Sequence, residues 1–182
     1  MFSQIKSKIS YYCIRKRIPN SLKKKRIVTL SEAKKIGILF DANGDDSISE
    51  IKHLLKYFLD RKIDVHILGF INNREKDIPY ISTIHLNYFN LNDVSLLDIP
   101  NSHKTNSFLE RKYDILINLS LVNSFQTKCL SLLSFAKYKI GIFDDNTLCA
   151  YDLMFKLKIN SLNYFTKYLK EYLELINKNN EK

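Results

Sequence analysis

The chain has 182 residues, 45% hydrophobic and 26% charged, with only four Gly and three Pro. That make-up suits one ordinary globular core with little linker or low-complexity sequence. The formal net charge is +10, and the three cysteines (Cys13, Cys129 and Cys149) form neither a CxxC pair nor a Cys/His metal spacing, which excludes a disulfide framework and a zinc module and fits free thiols in a reducing, cytoplasmic setting.

The charge is concentrated at one end. Residues 1–26 hold Lys6, Lys8, Arg15, Lys16, Arg17, Lys23, Lys24, Lys25 and Arg26, and no acid precedes Glu32. Of the 29 basic residues nine lie in this arm, leaving 20 against all 19 acids in residues 27–182. The expected organisation is a basic helical arm, 1–26, on a nearly neutral α/β domain, 27–182. Phe2, Ile5, Ile9 and Tyr12 recur at helical spacing up to Pro19, so they are the expected apolar face of a helix with its cations outward. The residues before Pro19 lack the continuous apolar core of a secretory signal, and no stretch nears the ~20 apolar residues of a membrane span. The KKKR run at 23–26 is denser than packing requires and points to a polyanion: RNA first, an anionic membrane surface second. Lys, Asn and Ile are used heavily throughout, so their abundance alone carries no functional argument.

Downstream, AKKIGILFD (33–41) reads as a buried strand and SISEIKHLLKYFLDRK (47–62) as an amphipathic helix. Strands are predicted over 63–70 and 82–89, a short helix over SFLERK (107–112), and a fourth strand over 113–119. A helix over 124–137, a strand over 138–144, an edge strand within 151–159 and a closing helix over 161–178 complete the pattern. Alternation of strands and helices predicts a single Rossmann-like α/β domain with a mostly parallel sheet of five or six strands. The preferred order is 3-2-1-4-5, with 2-1-3-4-5 as the alternative.

The segment FDANGDDSISE (40–50) looks most like chemistry. Asp41, Asn43 and Asp45 match three positions of a calcium loop, but Asp46 stands where Gly is needed and Lys52 where the bidentate Glu belongs. One glycine among three aspartates is a poor phosphate cradle, and no dinucleotide or P-loop motif is present. The economical reading is an Asn43–Gly44 turn followed by a Ser47–Glu50 capping box. A functional reading survives because KIGILFDAN and KIGIFDDN end two parallel strands at the same sheet edge, where such folds bind ligands. Asp41, Asn118, Asp144 and Asp145 are therefore the candidate crevice, where converging carboxylates could hold a divalent cation or a ligand hydroxyl, and the alternative to a docking protein is an enzyme or binder of a nucleotide or nucleotide sugar. No metal site, cofactor or catalytic residue is expected. His53, His66, His85 and His103 are scattered and read as structural, no Ser sits in a nucleophile elbow, and the 22 Tyr and Phe fall mostly on apolar stripes.

The basic N-terminal helix, GILFDAN, the pairing of YDILINLS with AKYKIGI, and YDLMFKLK before the last helix resemble a family of small bacterial proteins known only as a domain of unknown function. That resemblance spans the whole chain and implies no activity or site residues. More loosely, residues 34–146, through YDILINLS…SFAKYKIGIFD, are similar to the N-terminal half of heptosyltransferase-type glycosyltransferases. Such enzymes bind sugar nucleotide with a second Rossmann-like half, so this resemblance implies the fold rather than the activity. The sequence reading is a non-catalytic Rossmann-like protein docking on RNA or a ribonucleoprotein through its arm, a protein partner also being possible.

Overall fold

The computed structural model describes residues 2–18, 27–42, 44–75, 80–122, 124–143 and 150–180. In chain order the elements are α1 (Phe2–Arg17), β1 (Lys35–Asp41), α2 (Asp45–Leu59), β2 (Asp64–Ile71), β3 (Leu86–Asn90) and α3 (His103–Glu110). They continue with β4 (Ile115–Asn118), α4 (Phe125–Leu133), β5 (Tyr138–Ile142), β6 (Leu153–Phe155) and α5 (Leu162–Asn180). The six strands form one sheet in the order β3-β2-β1-β4-β5-β6, and every neighbouring pair is parallel. This is the doubly wound arrangement expected from the sequence, with the edge strand β6 added outside β5.

Strand alternation distributes the core over both faces. Ile36, Ile38 and Phe40 of β1, with Ile115 and Ile117 of β4, pack with Ile51, Leu54 and Phe58 of α2 and Phe165, Leu169 and Leu173 of α5. Leu39 and Leu116 point the other way, toward Phe108 of α3 and Leu130 of α4. α2 and α5 therefore cover one face, and α3 and α4 cover the other. They are tied across their length: Tyr57 donates to Glu174 Oε1 at 2.7 Å and Arg61 to the same oxygen at 2.5 Å. Near the opposite end Thr166 and Asn163 donate to the Glu50 carboxylate.

At the amino edge Asp114 gathers three segments. Its Oδ2 accepts the amides of Lys34 and Lys35 at 2.9 and 3.0 Å, and its Oδ1 accepts Lys137 Nζ at 2.6 Å. Burial alone would raise this carboxyl, but the Lys137 ammonium and the two amides outweigh it and hold it below its ordinary value.

Four local expectations are corrected. The apolar face of α1 is not the Phe2–Ile5–Ile9–Tyr12 stripe: Ile9 is 47% and Tyr12 59% exposed, whereas Ile14 is 0% exposed. The side chains of Phe2 and Ile5 lie outside those described. The helix instead turns Ile14 toward Ile99, Cys129, Leu132 and Tyr151, with Cys13 and Ile18 alongside and Tyr11 edge-on to Phe125 at 5.3 Å. The Ser10 hydroxyl is buried on this face between the carbonyls of Lys6 and Leu97, at 2.8 and 2.7 Å. A polar residue there escaped the apolar pattern because one of its acceptors, the Leu97 carbonyl, is 87 residues away in the chain.

The Ser47–Glu50 capping box is also absent. α2 begins two residues earlier, on Gly44 at φ 110°, a conformation glycine adopts without strain. Ser47 Oγ donates to the Gly44 carbonyl at 2.7 Å, while Glu50 reaches across to α5. A capping box does form at α3, where Ser102 and Thr105 exchange side-chain and backbone bonds, so that helix starts four residues before the predicted one. β3 begins four residues late because Thr83 and Leu86 bond to each other in a turn. Among the described residues no helix is long and apolar enough to cross a membrane.

Candidate functional site

Two places carry the predicted residues. The first is the outer face of α1. Lys8, Arg15, Lys16 and Arg17 are exposed there, and Lys16 Nζ lies 4.5 Å from the centre of the Tyr12 ring. Lys6 differs, since it forms an ion pair of 2.7 Å with Asp98 in the loop under the helix. The last turn of α1 carries Arg15, Lys16 and Arg17, where the helix macrodipole favours cations. Among the described residues only Lys6 of the α1 cations meets a carboxylate. Lys23, Lys24, Lys25 and Arg26 lie outside the described residues.

The second place is the carboxyl edge of the sheet where β1 and β4 lie side by side. The order reverses here: β1 leads outward to β2 and β3, and β4 to β5 and β6. Such a switch point opens a crevice between the two sets of loops. Asp41 ends β1 and Asn118 ends β4, and the pairing of Leu39 with Asn118 sets their side chains on the same face, toward α4. Asp144 and Asp145 lie outside the described residues.

Asn118 is fully occupied. Its Nδ2 donates to Tyr151 Oη at 2.7 Å and Ser131 Oγ at 3.3 Å, and its Oδ1 accepts the Ser120 amide at 3.0 Å. The Tyr151 ring can reach it because β5 carries Gly141 beneath: a Cβ there would lie 2.6 Å from the ring. Glycine is required at 141 by this close approach.

Asp41 is the opposite case. Both carboxylate oxygens are shielded from solvent and neither has a close, well-aligned donor, the Ser124 and Ser120 hydroxyls and the Val122 amide lying at longer range. The Ser120 and Ser124 hydroxyls stand nearby, yet both are drawn to Thr127 Oγ1, at 2.9 and 2.7 Å, while Thr127 itself bonds to the Ser124 carbonyl at 3.2 Å. Burial pushes the Asp41 carboxyl above its ordinary value, and the neighbouring Ser124 and Ser120 hydroxyls and Val122 amide only partly offset it.

Beside this carboxylate runs a cleft of ≈ 590 Å³. Asp41, Leu119 and Val122 form its inner side, Asp46, Glu50 and His53 of α2 one wall, and Ser161 and Asn163 at the start of α5 the other. The sequence signalled Asp41, Asp46 and Glu50 within FDANGDDSISE, but not the facing wall of Ser161 and Asn163. The histidines behave as expected of structural residues at His85, whose Nδ1–H donates to the Val65 carbonyl at 2.9 Å, and at His66, held between Asp64 and Arg111. Cys129 is buried, and that burial pushes its thiol above the ordinary value. Cys149 lies outside the described residues.

Parallel strands in this order, helices on both faces and a crevice at the reversal define a single-sheet protein of Rossmann type. The chain belongs to a family of unknown function, DUF6913, whose model matches residues 6–176. No curated protein and no solved structure matches the chain.

Proposed function

We propose that this protein docks on RNA, free or within a ribonucleoprotein, through the outer face of α1 and the basic segment that follows it. The observation that supports this is the division of labour in α1. Its inner side is committed to Ile99, Cys129 and Leu132, while Lys8, Arg15, Lys16 and Arg17 face solvent with no acidic residue anywhere in the helix. A neutral body then presents one strongly positive surface, which draws in a polyphosphate by counterion release. Tyr12 stands among these cations and offers a ring on which an unpaired base can stack.

An anionic membrane is the less suitable polyanion. Helices lying in a membrane interface bury a broad apolar face, and α1 has already packed its own against the domain. Ile9 and Tyr12 alone give little to insert.

Filter binding of single-stranded RNA across a salt series tests the reading. Binding is expected to weaken steeply with salt, and replacing Arg15 and Lys16 by Glu should lower affinity at least ten-fold and flatten the salt slope by about 0.7 per lost phosphate contact. Charge reversal is preferable to deleting the arm, because removing Ile14 uncovers the core. Equal RNA binding by the reversed variant, or co-sedimentation with anionic vesicles in place of RNA, would sink the reading.

A further inference from the structure

We propose that the chain pairs with a second copy of itself through the flank of α5 on the β6 side, the two α5 helices lying antiparallel about a two-fold axis. α5 carries two apolar stripes. Phe165, Leu169 and Leu173 are buried in the core against the sheet. Tyr164, Tyr168 and Leu175 follow a second line at helical spacing, and there Tyr168 is 39% and Leu175 59% exposed. The Tyr164 and Tyr168 rings lie 4.4 Å apart, so they join into one aromatic surface.

Contacts on either side of α5 fix where this second stripe points. Asn163, Thr166 and Glu174 bond to α2, so that side of the helix is occupied. Tyr172 lies on the other side, its ring 5.6 Å from Phe155 of β6. At 3.6 residues per turn, Tyr164, Tyr168 and Leu175 fall beyond Tyr172, on the flank away from α2. β6 ends the sheet there, and among the described residues no further strand lies outside it. α5 has 19 residues and runs about 28 Å, enough to cross a contact patch of standard size, roughly 800 Å² on each partner.

The charges bordering the stripe select the occupant. Lys167 and Glu171 are both exposed, and among the described residues neither enters a salt bridge. Within one helix, a Lys four residues before a Glu is the weaker order for an ion pair. Across an antiparallel pair the two signs meet. A two-fold at the level of Leu169 and Lys170 sets Lys167 beside Glu171 of the partner subunit, and Tyr164 against Leu175 of the partner subunit. A surface with an apolar line and both signs placed in this way is complementary to itself, as a two-fold contact requires. The α1 surface takes no part in this contact, and the pairing does not rest on RNA.

The test is sedimentation velocity on the full chain, treated with RNase and kept reduced, across about 1 to 100 µM. A reversible dimer with a Kd inside that range is expected. Tyr168→Ala with Leu175→Ala should weaken it at least ten-fold, and so should Lys167→Glu or Glu171→Lys alone, each of which sets like charges face to face. The swapped variant, Lys167→Glu with Glu171→Lys, should restore the dimer, a rescue that misfolding of the single variants would not produce. Arg15→Glu with Lys16→Glu should leave it unchanged. A monomer at every concentration overturns the proposal, as does a dimer seen only before RNase treatment. So does a dimer that the single charge reversals leave intact, one that the swap fails to restore, or one that the α1 variant dissolves.

Discussion

At the scale of single residues, Asp41 shows how a position can work against stability. Its folded-state pKa lies above the ordinary carboxylate value of about 4. Between those two values the folded protein binds more protons than the unfolded chain, so stability falls as pH rises through that window and stays reduced above it. Asp41→Asn should therefore raise stability at neutral pH by about 1 kcal/mol, roughly 2–4 °C in Tm, and remove this part of the pH dependence. Thermal melts of both proteins from pH 4 to 8 check it, and an asparagine variant less stable at pH 7 would contradict it. Asp114 has the opposite sign: its lowered pKa stabilises above about pH 4, and that contribution is lost as pH falls toward the depressed folded value. Neither behaviour was legible in the sequence. Both aspartates sit next to strand residues in similar runs, FD and YD. What separates them is whether amides and a lysine or a pair of already committed hydroxyls come to surround the carboxylate.

Among elements, α1 is the clearest case of a helix read correctly and oriented wrongly. Its existence followed from spacing, but apolar residues occupy both sides of FSQIKSKISYYCIRKR, and only the position of α4 and the loop through Leu97 decides which side is buried. Ile14→Ala should cost about 2–4 kcal/mol, while Ile9→Ala and Tyr12→Ala should each stay within about 0.5 kcal/mol. Urea denaturation of the three variants distinguishes the two faces, and the reverse ranking would restore the sequence expectation. The boundaries of α2 and α3 were misplaced for a related reason. Ser47 and Glu50 have the spacing of a capping box, but Glu50 finds Thr166 and Asn163 on α5 instead. A partner more than a hundred residues away is invisible to a local motif.

For the whole molecule, the sheet order was legible because alternation of strands and helices allows few parallel topologies. That order in turn placed Asp41 and Asn118 at the switch point before any side chain was seen. The cleft as a whole was not legible, since α2 meets the turn after β4 and the start of α5, segments far apart in the chain. Charge followed the same division. The excess of cations in residues 1–26 and the run of acids in FDANGDDSISE could both be counted, whereas the polar wall of Ser161 and Asn163 that faces Asp46 and Glu50 emerges only in the fold.

The two ties between α2 and α5 have a mechanical meaning. Glu50 holds one end of the pair, and Tyr57 with Arg61 holds Glu174 at the other, so neither helix can lift from the sheet without breaking charge-assisted bonds to its neighbour. The two helices are expected to open as one cooperative body. Their amides should share a common protection against deuterium, and Glu174→Ala should lower it in both together, while independent loss in α5 alone would refute the coupling. Since the same pair frames the cleft, its two walls keep a fixed gauge.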